Sequence, residues 1–285
     1  MQESQLLSTM NARYPRTPRI IKLVALAAGA YFLAGTAHAN AQGVDEFGPY
    51  GRAQDEINYE SPQRWAFELR IGPYYPQVDS QFNGAATPLA DTMGSGKRVL
   101  FGFEGDWQAL RLGNILSFGP GFGMAYTRLS NPATFDYVNH PAPPDVVANG
   151  TTSPMDSTLK LWLQWADAVV RVDALNRNFR VPIVFTAKLG LGQALWWAAK
   201  GDITSRGSDG TIGHGRSWGP TWALGVMFDL NFAQPERARK LDAVSGINHM
   251  YLFAEWYQLK LDGFGSGNQM QVGDSTWTLG YALEF

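Results

Sequence analysis

The chain contains no cysteine, which excludes disulfides, metal–thiolate centres and acylation at a lipobox cysteine, and with the last a lipoprotein. It also lacks the ~18 consecutive apolar residues that a membrane-crossing helix requires, and its mean hydropathy is -0.19. No transmembrane helix is therefore expected in the exported form. No internal repeat or low-complexity tract stands out. The abundant residues are aromatic or small: 10 Trp, 11 Tyr, 16 Phe and 31 Gly. A membrane β-barrel hides its apolar surface in alternation, so a modest average hydropathy is compatible with one.

The single continuous apolar stretch is N-terminal. Arg13, Arg16, Arg19 and Lys22 precede an apolar core at 23–34, followed by Ala37, His38 and Ala39. Basic region, short apolar core and small-x-small site are the layout of a signal peptide. Cleavage is expected after Ala39, with Ala41 as the second choice and Met10 as the expected start of translation. Residues 1–39 are then the cleaved signal, 40–63 a periplasmic leader without periodic pattern, and 64–285 the barrel. Removing the signal leaves 19 Lys and Arg against 24 Asp and Glu, a mildly acidic chain that gives no support to nucleic-acid binding.

Eight segments alternate apolar and polar residues at the period of two that a half-exposed strand requires. The last, 277–285 (WTLGYALEF), sets Trp277, Leu279, Tyr281, Leu283 and Phe285 on one face, with Thr276, Thr278, Gly280, Ala282 and Glu284 on the other. It reads as a closing barrel strand whose apolar face and terminal Phe285 form an assembly signal. The first, 65–73, opposes Trp65, Phe67, Leu69 and Ile71 to Glu68 and Arg70. The second, 99–108, opposes Phe101, Phe103 and Trp107 to Glu104, Asp106 and Gln108. Further segments lie at 118–127, around 159–165, at 181–194 and around 222–230. A seventh at 250–261 is apolar on both faces around Glu255, so its register stays open. Long links (74–98, 128–157, 196–217) and a compact one at 263–268 are expected on the outer side, with a short inner return at 109–117, while two other inner returns break the short-turn rule of outer-membrane barrels. Two of the returns, 168–178 and 235–244, are expected to hold short helices, the latter with Pro235 at its start and Gly246 after its end.

The fold class expected is thus all-β: a closed, antiparallel, eight-stranded transmembrane up-and-down barrel with a short periplasmic-side helix. The same alternation would suit a soluble lipocalin-like barrel with its apolar face turned inward. The aromatic residues at strand ends (Trp65, Trp107, Trp165, Tyr74, Tyr126, Trp196, Trp197, Trp218) favour the membrane form.

Several stretches together, 60–79 (ESPQRWAFELRIGPYYPQVD), 106–111 (DWQALR), 119–123 (GPGFG), 187–192 (AKLGLG), 246–249 (GINH) and 261–265 (LDGFG), resemble the myxobacterial-type outer-membrane β-barrel proteins. The resemblance covers most of the exported chain. It implies a Gram-negative outer-membrane location and carries over no activity or functional residue.

The candidate site is the lumen. Glu68, Arg70, Glu104, Asp106, Lys160, Lys188, Asp229 and Glu255 are expected to converge there as a structural charge network, because opposed charges in a filled interior pair. Catalysis is not evident: His140, His214 and His249 lack a Gly-x-Ser-x-Gly elbow or paired spacing with serine. The 93–97 stretch misses the first glycine of a phosphate loop and has Arg98 in place of Ser or Thr. The 202–215 stretch lacks calcium-loop spacing. Pro120, Pro182 and Pro220 are expected at bulges or strand ends, since they donate no ladder bond. No cofactor or metal is expected. The partners expected are outer-membrane lipid and lipopolysaccharide, with the barrel assembly machinery during biogenesis, and the chain is expected as a monomer. The function expected is structural or surface-interacting; the alternatives are an outer-membrane lipid-modifying enzyme and a narrow solute channel.

Overall fold

The computed structural model describes residues 64–113, 115–134, 152–201, 203–205, 210, 212–233 and 235–285. The expected signal, the leader and the loop holding His140 lie outside the described residues. Eight strands form the barrel: β1 (Trp65–Tyr74), β2 (Arg98–Trp107), β3 (Leu116–Thr134), β4 (Thr152–Val172), β5 (Ile183–Lys200), β6 (His214–Asp229), β7 (His249–Leu259) and β8 (Ser275–Glu284). Each pairs antiparallel with the next, and β8 pairs with β1 to close the sheet. Minor strands at Leu110–Leu112 and Ile203–Thr204 extend single edges. Three short helices join strands: α1 (Pro88–Met93), α2 (Ala174–Phe179) and α3 (Pro235–Ser245). Among the described residues no helix is long and apolar enough to cross a membrane.

The alternation read from the sequence becomes the two sides of the wall. Leu69, Phe101, Leu189, Leu224, Leu252 and Leu279 are exposed on the exterior while Glu68, Arg70, Glu104 and Lys188 are buried inside. An apolar exterior around a charged interior is the reverse of a lipocalin-like barrel, so that alternative is excluded. The open register of β7 is settled by its neighbours: Tyr251, Phe253, Glu255, Tyr257 and Leu259 point inward, Leu252 and Trp256 outward.

Two ends are distinguished by chain direction. The terminal end carries Trp65 and Glu284, and the loop end carries Tyr74 and Ser275. Strands β3 to β6, at 16 to 21 residues, outrun the others, at 10 or 11. The long links expected at 128–157 and 196–217 are thus partly strand, and the β3–β4 ladder continues to the Thr134–Thr152 pair. The return expected at 168–178 is strand as far as Val172, followed by α2.

Aromatic girdles mark both ends. Trp65 stacks on Trp107 at 6.3 Å near the terminal end; Trp222, Trp256 and Trp277 form a chain at 5.0 and 6.4 Å nearer the loop end, where Tyr126 meets Trp162. Tyr74, Trp165 and Trp196, expected in these girdles, are instead buried inside. Trp165 is accommodated by Gly123 opposite it, where a Cβ would lie 2.2 Å from the indole.

The prolines sit where a neighbouring ladder has ended. Pro120 faces the irregular turn between the β2 pairing at Asp106–Gly121 and the Leu110–Phe118 pair, and Pro220 lies one residue outside the β6–β7 ladder. Neither position asks the proline for an N–H, which is how it stays inside a continuous strand.

Candidate functional site

The lumen has two layers. Toward the loop end it is apolar: Leu100, Ala125, Leu129, Leu159, Leu161 and Leu163 pack with Trp196 and Tyr74. Elements outside the wall complete this layer. Val78, Leu89 and Met93 fold in from the β1–β2 link, and Leu261, Met270 and Val272 from the β7–β8 link. Asp79 anchors the start of α1 by accepting from the Leu89 and Ala90 N–H groups. Tyr74 donates its hydroxyl to the Val272 carbonyl, tying the end of β1 to the β7–β8 link.

Toward the terminal end the lumen is ionic. Glu68 lies at the centre: its Oε2 takes Arg70 Nη2 and Lys188 Nζ, each at 2.6 Å, and its Oε1 takes Arg171 Nη2 at 2.7 Å. Glu104 receives Arg70 and Lys188, each at 2.7 Å, and the Trp165 indole N–H at 2.7 Å. Glu255 closes the other side, 3.0 Å from Arg70 and 3.3 Å from Lys188. Arg171 reaches on to Asp106 and to Glu284, and Glu284 also accepts from Gln108 and Tyr251. All of these charged groups are almost fully removed from solvent.

The two layers meet at an aromatic shelf. The Arg70 guanidinium carbon lies 5.3 Å from the Trp165 ring centre, 5.5 Å from Tyr257 and 5.9 Å from Phe253. A weakly hydrated, planar cation is suited to that boundary, stacking on rings while its N–H groups face carboxylates.

Six of the eight residues expected in the network are brought together: Glu68, Arg70, Glu104, Asp106, Lys188 and Glu255. Two are not. Lys160 points out of the wall, between inward Leu159 and Leu161. The loop-end interior is apolar, so on that part of β4 the leucines take the inside and the lysine the outside. Asp229 lies at the terminal rim, where it accepts from Asn176 at 2.7 Å and faces His249 Nδ1 at 2.9 Å. It bridges α2 to the start of β7 rather than joining the centre.

Arg171, Asp167 and Glu284 were not in the expected set. The signal was present: 165–171 repeats the inward parity as Trp165, Asp167, Val169, Arg171. It is masked because the outward partners Ala166 and Ala168 are small, so the segment looks like a connection rather than a lipid-facing strand.

Chemically, the Glu68 and Glu104 carboxylates are saturated. Among the oxygens of Glu68, Glu104 and Asp106, one from each residue lies within 4.8 Å of the others, close enough to hold an ion in principle. All of them except Asp106 Oδ1 are already engaged by Arg70, Arg171, Lys188 or Trp165. Of the histidines, His214 is exposed at the start of β6, and Ser217 nearby is buried with its hydroxyl donated to the Met270 carbonyl.

No protein-family model matches the chain, and no curated protein sequence matches it. Among solved structures it is similar to the attachment invasion locus protein Ail of Yersinia pestis, crystallised with the heparin analogue sucrose octasulfate. The identity is 14%, the match covers 78% of this chain and 97% of that one, and the TM-score is 0.38. Neisserial surface protein A is similar at 12% identity, 78% and 97% coverage and a TM-score of 0.38. The N-terminal β-barrel domain of Pseudomonas aeruginosa OprF is similar at 13% identity, 78% and 98% coverage and a TM-score of 0.34.

Proposed function

We propose that the protein is an integral outer-membrane β-barrel, sealed along its length, with a structural or surface-interaction role and no catalytic activity. The observation that carries this reading is the filled lumen: an apolar plug built partly from two links at the loop end, and a closely packed ion network at the terminal end. Water and ions have no continuous polar path through an apolar plug.

The membrane location is supported by the exposed apolar exterior lying between two aromatic girdles, a surface suited to lipid. The basic and apolar layout of residues 1–39 supports export, and the terminal end would then face the periplasm. Outer-membrane lipid and lipopolysaccharide are its proposed partners in place, and the assembly machinery is its proposed partner in transit, met through Trp277, Leu279, Tyr281, Leu283 and Phe285. The surface role is supported by β3 and β4, whose ladder runs on beyond Tyr126 and Trp162 to Thr134 and Thr152. A ladder continued past the girdle presents paired backbone and side chains outside the bilayer.

The test is fractionation with a heat-modifiability gel, combined with swelling of proteoliposomes in small sugars. The expected result is an outer-membrane band that shifts on boiling and vesicles that do not swell. Recovery as a soluble periplasmic protein, or swelling above that of empty vesicles, contradicts the proposal.

A further inference from the structure

Asp167 on β4 is buried to more than nine-tenths, and its Oδ1 has no hydrogen-bond partner among the described residues. Asp106 on β2 is buried still further; it gives one oxygen to Arg171 and leaves Oδ1 without a donor. The two carboxylates belong to one row of the sheet, because Asp106 pairs with Gly121 and Gly121 with Asp167. A Cβ at Gly121 would lie 2.6 Å from Asp106 Oδ1, 2.5 Å from Asp167 Oδ1 and 2.8 Å from a Val169 methyl. Both unpartnered oxygens therefore lean over the glycine toward the same point. The row continues through Gly190 to Thr221, whose buried hydroxyl is also without a partner.

Charge points the same way. Glu68, Glu104, Asp106, Asp167, Glu255 and Glu284 are buried in this part of the lumen against Arg70, Arg171 and Lys188. The bases are committed to the other five acids. A buried carboxylate without a counter-charge is costly. The donors at the convergence point are hard oxygens, with no imidazole or thiolate beside them in the row, which selects against zinc and copper and for calcium or magnesium.

We propose that Asp106 and Asp167, leaning over Gly121, form a binding site for a hard divalent cation within the barrel wall. The cation joins β2 to β4 across the strand between them and balances the acid surplus of the lumen. Glu68 and Glu104 do not contribute, because their oxygens are held by the bases. The small residue at 121 is required, since any side chain would occupy the ion's position.

Trp165 provides a reporter. It is two residues from Asp167 on the same face, and its indole lies against Gly123, two residues from Gly121. Terbium, a luminescent substitute for calcium, is titrated into purified protein in lipid-free detergent with excitation of tryptophan. The expected result is saturable emission that calcium displaces, weakened more than about tenfold in apparent affinity by Asp167→Asn and likewise by Gly121→Ala. A gel shift on boiling confirms that each variant is folded. Should a variant fail to fold, the wild type decides alone: calcium raises its urea midpoint relative to chelator. Absence of both saturable emission and a calcium-dependent midpoint in the wild type overturns the site, as does emission from folded Asp167→Asn equal to that of the wild type.

Discussion

At the scale of single residues, Glu68 is the group on which the interior turns. It receives all three lumenal bases, two of them on one oxygen. Replacing a base therefore strands several acids at once. Lys188→Met should cost about 3–5 kcal/mol in urea unfolding from lipid vesicles, the range for breaking one side of a buried ion network. Lys160→Ala, on the exterior, should change stability by less than about 0.5 kcal/mol. Equal losses from the two would mean that the inside and outside of this part of the wall are misassigned. Glu68 and Arg70 were legible in the sequence because each stands between large apolar residues at a spacing of two, and Glu104 and Lys188 because each has one such neighbour, Phe103 or Leu189. Lys160 misled for the same reason, since the rule that charge goes inside holds only where lipid lies outside. In the proposed placement water surrounds the wall beyond the girdle, and Leu159 and Leu161 take the interior as they would in a soluble barrel.

At the scale of elements, strand register is the testable quantity. Leu224 and Val226 on β6 are exposed on the exterior, while Ala223 between Trp222 and Leu224 is buried. A fluorophore attached at Leu224→Cys or Val226→Cys should be strongly quenched by a lipid-soluble quencher in bilayers, and one at Ala223→Cys only weakly. Stronger quenching at Ala223→Cys would shift the strand by one residue and turn every side chain to the other face. The seam between the first and last strands makes a second forecast. The Phe285 carbonyl accepts from the Arg64 and Trp65 N–H groups at 2.8 and 3.1 Å, and its ring meets Phe67 edge-on at 5.8 Å. Deleting Phe285 removes these closing contacts, so the folded fraction in the outer membrane should fall and periplasmic degradation should rise, as read by a heat-shift immunoblot. An unchanged folded fraction would show that the seam closes without it. The strands were legible where outward-facing residues are large. The continuation of β4 to Val172 was not, since alanine and valine on its outer face carry too little contrast with a connecting segment.

At the scale of the whole molecule, the closed eight-stranded barrel was readable because eight alternating segments with long and short links leave few other ways to satisfy every backbone group. The plug was not readable. Val78, Leu89, Met93, Met270 and Val272 follow no period, and only their packing against Leu129 and Leu161 shows that the links turn inward. The plug is thus a feature of tertiary packing that strand pattern alone leaves open. The most direct measurement is planar-bilayer recording of the purified protein, alongside a variant in which Leu89→Ser and Val272→Ser loosen the plug. Sealing predicts no steady openings from the wild type across the voltage range, with leak appearing only in the loosened variant. Stable, ion-selective openings from the wild-type protein would contradict it.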